Sequence, residues 1–139
     1  MWWKEENQLD TLDALRRGFE ESGIWRLLGI RVQSLSPGEL IIRLDLNDSH
    51  LNYSQGVHGG VMATLHDCAM GLTLRSIDDS PYVTQSLTTY FLAAPRANDT
   101  LIAFAKLLRK GRRIVTMQGS ITDSEERLIS HALATFVKL

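Results

Sequence analysis

From Val61 to about Arg75 the chain runs without proline and is apolar on nearly every side. Val61, Met62, Ala63, Leu65, Cys68, Ala69, Met70, Leu72 and Leu74 fall within it, many of them good helix formers, and Gly59-Gly60 opens it. A helix with no polar face must be covered all round, so the rest of the chain has to wrap it. Ala63, Ala69 and Gly71 are small enough to let a sheet approach closely. Asp67 is the anomaly. It stands about two turns into this helix, where a carboxylate is costly unless paired or functional. Its neighbours at i−4 and i+4, Ala63 and Gly71, offer no side-chain partner.

The flanking segments supply the wrapping. Leu12, Leu15 and Phe19 recur at helical spacing between Leu9 and Glu21, with Ser22-Gly23 as the stop and Ile24 to Leu28 as one further turn. Trp2 and Trp3 read either as an apolar anchor or as a frayed end. After the Pro37-Gly38 turn, Leu40, Ile42, Leu44 and Leu46 alternate with Ile41, Arg43 and Asp45 as a half-buried strand. Asn47 to Gln55 is polar and loop-like. Strand-like runs then span residues 81–92, 101–108, 114–122 and 128–137, the middle pair separated by Arg109-Lys110-Gly111-Arg112-Arg113. The expectation is an α+β chain in which a five-stranded antiparallel sheet wraps one long central helix. That is the hotdog fold. No repeat or linker divides the chain, so residues 1–139 read as one domain with a helical segment at 1–23.

Composition narrows the function. Of 139 residues, 44% are hydrophobic and 22% charged, and the formal net charge is −1. No global field therefore favours nucleic acid or an anionic membrane. The segment 56–74 carries His58, His66 and Asp67, which a membrane span would seldom hold. The single cysteine, Cys68, excludes an internal disulfide and suits a reducing compartment. The start of the sequence lacks the apolar stretch of a signal peptide. A cytoplasmic protein is the expectation. His50, His58, His66 and His131 show no metal-ligand spacing, so no metal is expected.

The window Asn52-Tyr53-Ser54-Gln55-Gly56-Val57-His58-Gly59-Gly60 carries the chemistry, with Asp67 nine positions beyond His58. Gly59 and Gly60 stand where loop becomes helix, and the first helical N–H groups lack intrahelical partners. Glycine allows a carbonyl to approach them, and the helix dipole favours an oxygen gaining negative charge. The Gly59 N–H is the expected oxyanion donor. Asp67 could deprotonate a water or attack directly, and the sequence leaves both open. Cys68 diverges from Asp67 by about 100° around the helix and reads as a small core residue. His66 could line a pocket or reach solvent.

These motifs resemble the hotdog thioesterases of the phenylacetate-degradation type, over most of the chain. The resemblance implies an acyl-coenzyme A thioesterase acting on an aryl- or medium-chain acyl group. Coenzyme A would then be part of the substrate, with no separate cofactor. It implies catalytic roles for Asp67, Gly59, His58 and Asn52, and for Thr84 through the alignment of Val83-Thr84-Gln85. A strand shifted by one residue exchanges its faces, so Thr84 depends on register. Coenzyme A carries phosphates that arginine grips in bidentate fashion. Similar thioesterases hold the β-hairpin near the nucleotide, which points to Arg109 and Arg112, with Arg96 as a lesser candidate. Met62, Leu65, Tyr90 and Phe91 are candidates to line the acyl pocket. The resemblance also implies a site shared between two subunits, Asp67 from one and Asn52, His58 and Gly59 from the other, in a homodimer or a homotetramer built as a dimer of dimers. The competing readings are a hydroxyacyl-thioester dehydratase and a non-catalytic acyl-coenzyme A sensor.

Overall fold

The computed structural model describes the backbone of residues 2–139 and the side chains from Thr11 onward. Two helices, α1 (Trp2–Glu20) and α2 (Gly23–Leu28), lead into strands β1 (Arg31–Ser36) and β2 (Glu39–Asp45). A 3-10 turn (Asp48–His50) precedes the long helix α3 (Gly59–Arg75). Strands β3 (Tyr82–Phe91), β4 (Thr100–Lys110), β5 (Ile114–Thr122) and β6 (Leu128–Lys138) follow. The side chains of Trp2 and Trp3 lie outside the described residues.

The strands form one sheet in the order β1-β2-β4-β5-β6-β3, every pair antiparallel. Helix α3 packs against β2, β3, β4, β5 and β6. This is the hotdog arrangement. Its core forms where Leu65, Met70 and Leu72 of α3 meet Ile42, Leu44, Leu101, Met117, Ile121 and Ile129, all of them fully buried. Each such side chain contributes about 1.5–3 kcal/mol by leaving water.

The sheet has six strands, one more than the sequence pattern indicates. Strand β1 escapes detection because it carries a bulge between Val32 and Ser34. The extra residue moves the two half-buried apolar positions, Val32 and Leu35, three apart rather than two. The alternation that marks a strand is lost.

Helix α3 also departs from expectation. It is not covered all round: Gly60, Thr64, Asp67, Gly71 and Arg75 recur at three- and four-residue spacing and form a stripe that stays open or half-open. Gly71 therefore does not admit the sheet, and a side chain there would meet nothing within 4 Å. Ala69 is buried as expected, whereas Ala63 is half-buried. The glycine that permits close approach is on the sheet. At Gly119 of β5 an added Cβ would stand 3.0 Å from His66 Nδ1, 3.1 Å from Met70 Cε and 3.1 Å from the Phe104 carbonyl oxygen.

His66 neither lines a pocket nor reaches solvent. It is 1% exposed, with Nε2 2.9 Å from Ser130 Oγ, and Ser130 Oγ in turn lies 3.1 Å from Thr89 Oγ1. This chain joins α3 to β6 and β3. Nδ1 has no partner. Burial, with a smaller contribution from His131, pushes the imidazole pKa down to about 4. The unfolded chain therefore takes up a proton near pH 6.5 that the folded chain refuses until about pH 4. Stability should fall as pH drops through this window, by on the order of 3 kcal/mol from this group. Urea unfolding of wild type and His66→Leu between pH 7 and 4 checks this. The acid loss should be shallower in the variant, and parallel profiles would refute the assignment.

Candidate active site

The loop ahead of α3 is built on a histidine that sequence reasoning passed over. His50 is fully buried, its Nδ1 accepting from Asn47 N–H at 3.0 Å and its Nε2–H donating to the Leu28 carbonyl at 2.9 Å. Its own carbonyl accepts the His58 N–H at 2.9 Å. The signal was the Asn47-x-x-His50 spacing, a reciprocal cap in which histidine takes the place usually held by Glu or Gln. Within this loop Asn52 Oδ1 accepts from the N–H groups of Ser54 (2.9 Å) and Gly56 (3.1 Å). Those bonds fix its amide group and leave its Nδ2 donors free.

His58 caps α3. Its Nδ1 accepts the Gly60 N–H at 2.8 Å, and its carbonyl accepts the Val61 N–H at 3.0 Å. A Cβ at Gly60 would fall 2.9 Å from that imidazole nitrogen, so glycine is what lets the cap close. With Gly60 engaged, the Gly59 N–H has no acceptor among the described residues. It is a preorganised donor at the positive end of a helix. The Phe91 ring lies 3.3 Å from where a Gly59 Cβ would stand. Gly59, Asn52, Met62 and Phe91 line one cleft of about 470 Å³.

Asp67 faces a different space. Its Oδ1 accepts from Thr84 Oγ1 at 2.8 Å, a partner on β3 rather than on the helix. Strand register explains how Thr84 comes to point inward. Tyr82 and Thr84 face α3, but a bulge between Thr84 and Ser86 reverses the alternation, so Leu87 and Thr89 carry the inner face beyond it. Bulges of this kind re-aim side chains beside sites. Asp67, Thr84, Gly71, Tyr82, Phe136 and Phe19 line a cavity of about 380 Å³.

Gly59 and Asp67 therefore do not meet within one chain. Eight residues of α-helix separate them, about 12 Å at 1.5 Å per residue. A thioester carbon cannot touch both in a single copy. Of the sequence-picked residues the fold brings Asp67 to Thr84, and Asn52 and His58 to Gly59, as two separate groups. Met62 and Phe91 line the second. Leu65 lies in the core and Tyr90 is exposed, and neither lines the cleft of Gly59 or the cavity of Asp67. Arg109 is the penultimate residue of β4 and Arg112 follows in the turn, both exposed and outside any ion pair among the described residues. Their neighbour Lys110 pairs with Asp78 at 3.3 Å. Arg96 is exposed and lies 4.0 Å from Glu125. Burial, then Asp67 beside it, push the Cys68 thiol up to about 12, so it supplies no thiolate near neutral pH. No group of His, Cys, Asp and Glu among the described residues is arranged to hold a metal ion.

Comparison with known proteins decides the family. The sequence model of the thioesterase superfamily matches residues 55–130, from the loop before α3 into β6. The chain belongs to the thioesterase superfamily. A Halobacterium salinarum protein named as an esterase is 32% identical over 119 residues, which cover 81% of this chain and 78% of that one. The acyl-coenzyme A thioesterase PaaI of Escherichia coli is 25% identical over 112 residues, 81% of this chain and 79% of its own. The E. coli PaaI structure superposes with a TM-score of 0.82, covering 88% of each chain at 23% identity, a likeness of fold. A hypothetical thioesterase of Streptococcus pneumoniae, solved with coenzyme A, is 26% identical with a TM-score of 0.76 over 79% of this chain and 85% of that one. The superfamily member described here is thus a thioester hydrolase of the PaaI-like hotdog type.

The Thr84–Asp67 bond generates a direct test in this thioesterase. A hydrogen bond to an ionised group is worth about 1.5–3 kcal/mol, so Thr84→Val should lower kcat for thioester hydrolysis by about ten- to hundredfold. Thr84 is exposed, so the melting temperature should hold. Thr84→Ser should restore most of the rate. Equal rates for wild type and Thr84→Val would show that the hydroxyl does not serve Asp67.

Proposed function

We propose that the protein hydrolyses acyl-coenzyme A to the free acid and coenzyme A, at sites assembled from two copies of the chain. The observation that carries this reading is the separation of two complementary half-sites along one rigid helix. Asp67, held by Thr84 of β3, stands on the open stripe of α3, with the unpartnered Gly59 N–H about 12 Å away. A second copy supplies the missing half at each site. Strand β3 offers the means: it is an edge of the sheet, bonded only to β6, and it exposes Val83, Tyr90 and Phe91. Pairing of two such edges forms a dimer, and two dimers form a tetramer.

The chemistry follows from the parts. The thioester carbonyl oxygen accepts the Gly59 N–H of one copy, while Asn52 and the His58 cap hold that loop in place. One Asp67 oxygen of the other copy is held by Thr84. The other takes a proton from water as the water oxygen attacks the carbonyl carbon. Negative charge gathers on the carbonyl oxygen at the helix N-terminus, where a single donor is worth about 3–4 kcal/mol in the transition state. Collapse restores the carbonyl and breaks the C–S bond, and the departing thiolate takes the proton that Asp67 had accepted from water, which regenerates the carboxylate. Arg109 and Arg112 provide cations for the coenzyme phosphates. No described helix is long and apolar enough to cross a membrane. Together with Cys68 as the single cysteine, this supports a cytoplasmic site of action.

Release of free thiol from a panel of acyl-coenzyme A substrates tests the proposal. Wild type should release thiol, and Asp67→Asn should lower kcat by about 10²–10⁴-fold with the fold intact. Loss of water without thiol release would indicate a dehydratase. Binding without turnover would indicate a sensor.

A further inference from the structure

The cavity beside Asp67 has a wall that comes from outside the matched thioesterase region. Phe19 belongs to α1, well before residue 55, yet it faces Asp67, Gly71, Tyr82 and Phe136 across the cavity. We infer that this cavity holds the acyl group and that Phe19 and Gly71 together set the size of acyl group the enzyme accepts. The inference rests on the thioesterase reading of Asp67 and deepens it.

Phe19 is firmly mounted. Its ring meets the buried Trp25 edge-on, with centroids 5.7 Å apart and planes at 80°. The next residue, Glu20, accepts the Val32 N–H at 3.0 Å and pairs with Arg16 at 3.2 Å and Arg31 at 3.3 Å. The end of α1 is thereby clamped to β1. Opposite, Tyr82 donates its hydroxyl to Asp78 at 2.9 Å, so the ring is fixed and its polar end is satisfied. Phe136 is 4% exposed. These walls are rigid aromatic faces.

Depth comes from Gly71. A Cβ at this position would meet nothing within 4 Å, so the helix leaves open space about one turn beyond Asp67. Of the lining side chains only Asp67 and Arg75 are charged, and Arg75 pairs with Asp79 at 2.7 Å. An acyl group entering past Asp67 meets apolar surface. The cavity measures about 380 Å³ and is open on one side. The fitting ligand is a compact apolar acyl group, straight or aromatic.

Two variants acting from opposite walls test this, read as ratios of kcat/KM across acetyl-, octanoyl-, phenylacetyl- and dodecanoyl-coenzyme A. Gly71→Leu should lower the octanoyl-to-acetyl ratio by about tenfold or more, the scale of filling a pocket with unwanted methylenes. Phe19→Ala should raise the dodecanoyl-to-octanoyl ratio by a similar factor. Should Phe19→Ala fail to fold, Gly71→Leu decides alone. Dissociation constants of the matching non-hydrolysable thioether analogues give a readout independent of turnover. If those constants shift as described while no substrate releases thiol, the pocket stands and the hydrolase reading falls. If neither rates nor dissociation constants change their acyl-length profile in Gly71→Leu, the acyl pocket is elsewhere.

Discussion

A carboxylate on a helix surrounded by a sheet has to find its partner off the helix, and the 2.8 Å bond from Thr84 to Asp67 supplies it. Much of the architecture serves that contact. The bulge in β3 turns Thr84 inward at the level of Asp67. Farther along the same strand, Thr89 reaches Ser130 and through it His66, which fixes the rotation of α3 about its axis. Gly119 lets β5 come close enough for His66 to lie beneath the sheet. With the buried face of α3 held by this polar chain, Asp67 one residue on is carried to the open side.

The same helix sets the second constraint. Its N-terminus, capped by His58, leaves the Gly59 N–H free as the proposed oxyanion donor, and helix rise holds it about 12 Å from Asp67. A rigid element cannot bend the two together. The stripe Gly60-Thr64-Asp67-Gly71-Arg75 is open and the edge of β3 is unpaired. In the proposed assembly a second copy covers the stripe and excludes water from the reacting groups, which strengthens every electrostatic contact there.

The central helix, strand β2, the four strands after the helix and the Asn52-to-Asp67 window were legible because each rests on local signals. Apolar density marks a helix, alternation marks a strand, and paired glycines mark a loop–helix junction. β1 was hidden because its bulge breaks the period of two. The open face of α3 was hidden because Asp67, Gly71 and Thr64 are scattered among apolar residues whose covering depends on tertiary contact. Thr84 came from alignment and not from pattern, since its inward orientation hangs on the bulge at the following residue. Phe19 read correctly as an apolar helix position, but nothing local tells that α1 folds back to wall the cavity beside Asp67. His66 read from the sequence as lining a pocket or reaching solvent. Only the neighbouring Ser130, sixty-four positions away, explains it.

The account stands or falls on whether Asp67 of one copy works with Gly59 of another. Asp67→Asn and Gly59→Val chains, each inactive alone, should be unfolded together, refolded as a mixture and assayed for thiol release. Statistical pairing gives half mixed dimers, each with one intact site, so activity should return to roughly a quarter of wild type. A refolded mixture no more active than its two parents would contradict a site shared between copies.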